Sequence, residues 1–107
     1  MVESHSTPVA VVGAGPMGLH LACTLRRRGV ECVVFERGEV GASIEGFPPG
    51  MVCLTANHGM RIDGLPLETA GVRATREEYV AYLREVVRER DLDVRCRHEV
   101  VDLRLQV

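Results

Sequence analysis

Six residues near the start of the chain, Gly13-Ala14-Gly15-Pro16-Met17-Gly18, restrict its fold more than any other stretch. They follow a short apolar, β-branched run, Val9-Ala10-Val11-Val12, bounded by Pro8 and Gly13. Such a run reads as a buried parallel strand rather than an alternating surface strand. Behind the glycines, residues 16–28 carry Met17, Leu21 and Leu25 at four-residue steps, which predicts a helix with one apolar face. Arg26, Arg27 and Arg28 stand in its last turn, where the helix dipole favours cations. Gly29 suits the stop because it tolerates a left-handed conformation. Residues 31–36 then supply a second apolar run, Cys32-Val33-Val34-Phe35. Strand, helix and strand fit within about 28 residues, as a compact βαβ unit should.

The next stretch has a different character. Residues 38–74 hold seven of the eleven glycines and three of the five prolines, and their apolar residues keep no sustained period. A loop of that length inside a compact domain is usually functional. Short strands or turns are expected around Met51-Val52-Cys53-Leu54 and residues 62–67. Order returns at Thr75-Arg76-Glu77-Glu78, which has the T-x-x-E form of a capping box. Tyr79, Val80, Leu83, Val86 and Val87 recur behind it at helical spacing, with Arg84, Arg88 and Arg90 set against Glu85 and Glu89 on a solvated, salt-bridged face. A third strand is expected over residues 92–96. A fourth is expected over 99–107, where Val101, Leu103 and Leu105 alternate with polar residues as the start of an antiparallel excursion.

The expected fold is therefore α/β, a partial Rossmann-like unit with a parallel sheet and a long Gly/Pro-rich loop. At 107 residues the chain has room for one domain, assigned to residues 8–107 behind a disordered tail over 1–7. A net charge of -2 argues against a nucleic-acid partner, and no apolar run reaches the ~18–20 residues of a membrane span. The N-terminus is polar and carries Glu3, unlike a secretory signal. Cys23, Cys32, Cys53 and Cys96 show no C-x-x-C pair and no zinc-ligand spacing, so they read as structural thiols in a reducing, cytoplasmic setting, and no metal is expected. His5, His20, His58 and His98 share no catalytic spacing. Tyr79 and Tyr82 read as packing residues.

The glycine spacing also points to chemistry. Gly13 permits the tight strand-to-helix turn, Gly15 lets a pyrophosphate approach the backbone, and Gly18 lets the helix pack closely on the strands. The freed N–H groups of the turn and the positive end of the helix dipole then face the phosphates. Glu36 stands eighteen residues beyond Gly18 at the end of the second strand, where a carboxylate accepts hydrogen bonds from ribose hydroxyls and repels a 2′-phosphate. Arg37 beside it is a further candidate contact. FAD and NAD share this fingerprint. The long glycine-rich segment in place of a prompt second βα unit favours FAD.

These residues resemble the FAD-binding N-terminus of two-dinucleotide-domain flavoproteins, which include the pyridine nucleotide-disulfide reductases and the flavin-containing monooxygenases. Glu36-Arg37-Gly38, Val40, Ser43-Ile44, Phe47-Pro48, Met51, Thr55, Ile62, Gly64-Leu65-Pro66-Leu67, Thr75-Arg76-Glu77, Tyr79 and Tyr82 resemble the bacillithiol-disulfide reductase group. The resemblance spans residues 8–102. It implies FAD at Gly13, Ala14, Gly15, Pro16, Met17, Gly18 and Glu36, with Ser43, Met51 and Thr55 near the flavin and NADPH or NADH as reductant of a longer parent. That group tends to carry a Cys between the glycines, where this chain has Met17, so within an NAD(P)H-dependent flavoprotein oxidoreductase both a thiol-disulfide reductase and a monooxygenase stay open. Two alternatives to an oxidoreductase part stay open: a non-catalytic FAD- or NAD-binding module, which a complementary chain would complete, and an inactive truncated remnant.

Overall fold

Short β-branched runs gain most of their stability by pairing and by burying one face, and the two runs of this chain do both. The computed structural model describes residues 6–106. Strand β1 (Val9–Val12) lies parallel to β2 (Cys32–Phe35), with Val11 opposite Val34, and β2 lies parallel to β3 (Val94–Arg95). The sheet order is β1-β2-β3. Between them run α1 (Pro16–Arg27), a single-turn α2 (Ala42–Glu45), a 3₁₀ turn (Asn57–Gly59) and α3 (Arg76–Glu89). Val11 and Val34 join Leu19, Ala22 and Cys23 of α1 and Tyr82, Leu83 and Val86 of α3 in one apolar core.

Two expectations about burial change. Strand β1 is covered on one side only: Val11 is buried, whereas Ala10 is exposed and Val12 is 68% exposed. An apolar run does not reveal whether one or both faces are covered. On α1 the buried stripe is Leu19, Ala22 and Cys23, while Met17 and Leu21 face solvent and Leu25 is half-buried. Leu19 and the small residues Ala22 and Cys23 meet the core, while Met17 and Leu21 lie off the contact line. Its end is a Schellman arrangement, with Gly29 N–H donating to Arg26 O (3.0 Å) and Val30 N–H to Leu25 O (2.9 Å).

The stretch over 38–74 is ordered by side chains of α3. The Tyr82 hydroxyl accepts from Ile62 N–H and donates to Leu65 O, both at 2.8 Å, and the Tyr79 hydroxyl donates to Met60 O at 3.0 Å. Asp63 pairs with Arg27 of α1 (3.0 Å) and with Arg90 just beyond α3 (2.7 Å). Arg76 Nη1 donates to Glu45 O and Phe47 O, and the Glu77 carboxylate accepts from Gly50 N–H. Val52 makes an antiparallel bridge to Thr75, the strand-like element expected near Met51, and residues 62–65 form a turn closed by Leu65 N–H on Ile62 O. The solvated face of α3 keeps Arg88 against Glu85, but Arg84 reaches Glu45 and Arg90 reaches Asp63.

The third strand is shorter than expected, and residues 99–106 form no strand. They run unpaired, with Val101 84% and Leu103 and Leu105 each 92% exposed. Alternation marks a chain that could form a strand, and a strand needs a partner edge, which residues 99–106 do not meet. The expected tail over 1–7 lies outside the described residues except for Ser6 and Thr7, as does His5; Val107 of the fourth strand lies outside them too.

The capping box is present: the Thr75 side chain accepts from Glu78 N–H, and the Glu78 carboxylate accepts from Thr75 N–H at 2.9 Å. Backbone N–H donors, Thr75 for Glu78 and Gly50 for Glu77, hold both carboxyls below their usual range. Because the folded pKa values are depressed, these contacts contribute fully at neutral pH and are lost as pH falls through the lowered values. Protection of the Gly50 and Thr75 amides, measured against their intrinsic exchange rates, should therefore hold down to the ordinary carboxylate range and fall only below it. A loss of protection already near neutral pH would contradict the assignment. Tyr82→Phe should lower unfolding stability by about 1–3 kcal/mol, because the buried Ile62 N–H loses its acceptor. An unchanged urea midpoint would show that the hydroxyl does not pin the loop.

Candidate dinucleotide-binding site

The site is built where β1 turns into α1. Gly13 adopts φ +101°, a conformation that side-chain-bearing residues rarely take, and its N–H donates to Phe35 O at 2.8 Å. A Cβ on Gly18 would lie 2.0 Å from Gly13 O, so the helix can cross the turn only because residue 18 has no side chain. A Cβ on Gly15 would meet nothing within 4 Å. That position is open, and it is also the N-cap of α1, where no side chain caps the first-turn N–H groups and no acidic residue stands. An open backbone position at an uncapped helix start suits an anionic group.

Ala14 is wholly buried. Its N–H donates to Glu36 Oε1 at 2.8 Å, and its carbonyl accepts from Gly41 N–H at 3.1 Å. The other Glu36 oxygen accepts from Gly38 N–H at 2.7 Å. Gly13 to Gly18 and Glu36 thus come together at the carboxyl ends of β1 and β2, the edge at which open α/β sheets hold ligands.

Beside Pro16 lies an open apolar cavity of about 330 Å³, lined among others by Phe47, Met51, Leu54, Thr55, Arg76 and Tyr79. Met51 and Thr55, singled out from the sequence, lie in this wall. Ser43 does not, although its neighbour Ile44 does. Met17 is 84% exposed on the first turn of α1, and Arg37 is exposed after β2. Sequence reasoning missed Phe47, Leu54, Arg76 and Tyr79 as wall residues. Arg76 and Tyr79 sit a turn apart on α3, and only the folding back of residues 46–55 onto that helix brings them to the cavity.

Burial raises the thiols of Cys23, Cys32, Cys53 and Cys96, so each is held as a neutral thiol. Burial also pushes Tyr79 up to about 12. His20 and His58 are exposed, and the His98 ring accompanies Phe35 at 6.3 Å. Among the described residues no group of three or more His, Cys, Asp or Glu side chains could hold a metal ion, and no helix is long and apolar enough to cross a membrane.

Parallel strands, a glycine turn and an acidic residue at the end of β2 define a Rossmann-like α/β fold of the FAD-binding type. The chain belongs to the pyridine nucleotide-disulphide oxidoreductase family, whose model matches residues 10–106. It is 29% identical over 81 residues to the bacilliredoxin reductase Bdr of Bacillus subtilis, covering 76% of this chain and 25% of that protein. It is 47% identical over 70 residues to the 3-amino-4-hydroxybenzoate 2-monooxygenase of Streptomyces cremeus, covering 62% of this chain and 17% of that protein. Among solved structures, the bacillithiol disulfide reductase Bdr of Staphylococcus aureus superposes with a TM-score of 0.86 at 27% identity, over 89% of this chain and 29% of that one. A flavin-containing monooxygenase of Stenotrophomonas maltophilia does so with a TM-score of 0.76 at 26% identity, over 88% and 29%. The chain thus spans less than a third of the length of these relatives.

Gly18→Ala tests the crossing directly. It should cost about 3 kcal/mol, the upper end of the overpacking range, because the new methyl meets backbone rather than a movable side chain. An unfolding midpoint equal to that of the parent chain would refute the close approach.

Proposed function

We propose that residues 8–107 form the FAD-binding part of an NAD(P)H-dependent flavoprotein oxidoreductase acting on a small substrate or a thiol/disulfide. The observation that carries this reading is the open backbone at Gly15, set between uncapped first-turn N–H groups and the Glu36 carboxylate. The N–H groups of Gly15, Met17 and Gly18 would hold the pyrophosphate, and Glu36 would accept from the ribose hydroxyls. Arg37 is exposed next to Glu36, within the same binding edge. Met51 and Thr55 would border the flavin ring, for which the apolar cavity beside Pro16 is suited; Ser43 stands one residue from that wall. FAD, when bound, supplies electron transfer between a hydride donor and the acceptor. The chain's own part is to bind and orient it and to keep water from its apolar side.

Within this reading a small substrate is favoured over disulfide exchange through a cysteine of this segment. All four thiols are raised, and Met17 lies between the glycines. The four free cysteines also support a cytoplasmic setting. The one-sided cover of β1 supports a role as part of a larger assembly, either further polypeptide or a complementary chain.

The test is FAD titration followed by flavin fluorescence. The parent chain should take up FAD. Gly15→Ala should raise the Kd by about tenfold or more, since a methyl would stand where the phosphate approaches. It should leave unfolding stability within ~1 kcal/mol, because that methyl meets no protein atom. No uptake of FAD by the parent chain would refute the flavoprotein reading, and tight NAD uptake in its place would favour the NAD-binding module.

A further inference from the structure

We propose that Glu36 is a positioning residue that locks the glycine turn to the turn after β2 before any ligand arrives. Its two carboxylate oxygens are divided between backbone donors far apart in sequence: Oε1 accepts from Ala14 N–H at 2.8 Å and Oε2 from Gly38 N–H at 2.7 Å. Two further hydrogen bonds join the same segments. Gly13 N–H donates to Phe35 O at 2.8 Å, and Gly41 N–H donates to Ala14 O at 3.1 Å. Both backbone groups of Ala14 are thereby tied to residues 36–41. Hydrogen bonds from N–H to an ionised acceptor are about twice as strong as neutral ones. The carboxylate is therefore held in one orientation, and each oxygen keeps a lone pair for a hydroxyl donor.

The consequence is that the cradle binds as a preformed shape. Ordering two loops on association costs affinity, and a carboxylate that has ordered them already removes that cost. This inference rests on contacts within the protein alone and does not depend on which dinucleotide is bound.

Amide exchange by NMR on the ligand-free full chain tests it. Ala14 and Gly38 should be protected in the parent chain. Glu36→Ala removes both acceptors and should speed exchange at both amides by about tenfold or more. Glu36→Gln offers one acceptor oxygen and one donor nitrogen, so it can satisfy only one of the two N–H groups, and at least one amide should accelerate. Leu83 and Val86 of the core should not change. Unchanged exchange at both amides in Glu36→Gln and Glu36→Ala would overturn the proposal. So would a rise in Glu36→Gln that includes Leu83 and Val86, which would make Glu36 a residue of global stability. AMP serves as the ribose-bearing probe in a second arm. It should add little protection at Ala14 and Gly38 in the parent chain and more in Glu36→Gln. If AMP and FAD fail to bind while the exchange pattern holds, the dinucleotide reading falls and the clamp stands. If FAD binding weakens in Glu36→Gln with Ala14 and Gly38 unmoved, the clamp falls and the dinucleotide reading stands.

Discussion

The carbonyl oxygen of Gly13 occupies the place where a side chain on residue 18 would begin. Everything at the binding edge follows from that contact between two stretches of bare backbone. It lets α1 start directly at the end of β1. The uncapped helix start, the left-handed turn at Gly13 and the open face of Gly15 are then gathered within a few residues. A bulkier residue at 18 would push the helix outward, and the first-turn N–H groups would no longer lie over the end of the sheet.

The second support is electrostatic and comes from β2. Glu36 leaves the strand and is met by N–H groups on both sides. The binding edge is thus braced across the sheet as well as along the chain. The loop beyond it is braced from below: Arg76 and Glu77 hold residues 45–50, the two tyrosines hold residues 60–65, and Asp63 joins Arg27 to Arg90. Helix α3 therefore supplies core on its buried side and anchors for an otherwise irregular segment at its first turn and along its middle. The apolar cavity beside Pro16 is a product of this anchoring, since its walls come from residues that only the folded loop brings together.

What could be read from the residues is what local chemistry decides. The βαβ order, the capping box at Thr75 and Glu78, the stop at Gly29 and the glycine turn all depend on neighbours a few positions away. Family resemblance, not any period, singled out Met51 and Thr55 as flavin neighbours, and both line the cavity. The exposed side of β1 was hidden because Val12 looks the same whether or not another layer covers it. The buried stripe of α1 was hidden because contact selected Ala22 and Cys23 rather than the larger Met17 and Leu21. Residues 99–106 carry a strand pattern without a partner edge, and alternation alone cannot supply one. The roles of Arg76 and Tyr79 at the cavity depend on a chain reversal that no spacing encodes.

The hydroxyl of Tyr82 meets the backbone at both ends of the Ile62–Leu65 turn. This makes the turn an appendage of α3 rather than of the loop in which it lies. Its length is set by the reach of one aromatic side chain. Descendants of this sequence should seldom gain or lose residues between Met60 and Leu67. Residues 38–74 thus contain a segment whose length one side chain of α3 sets.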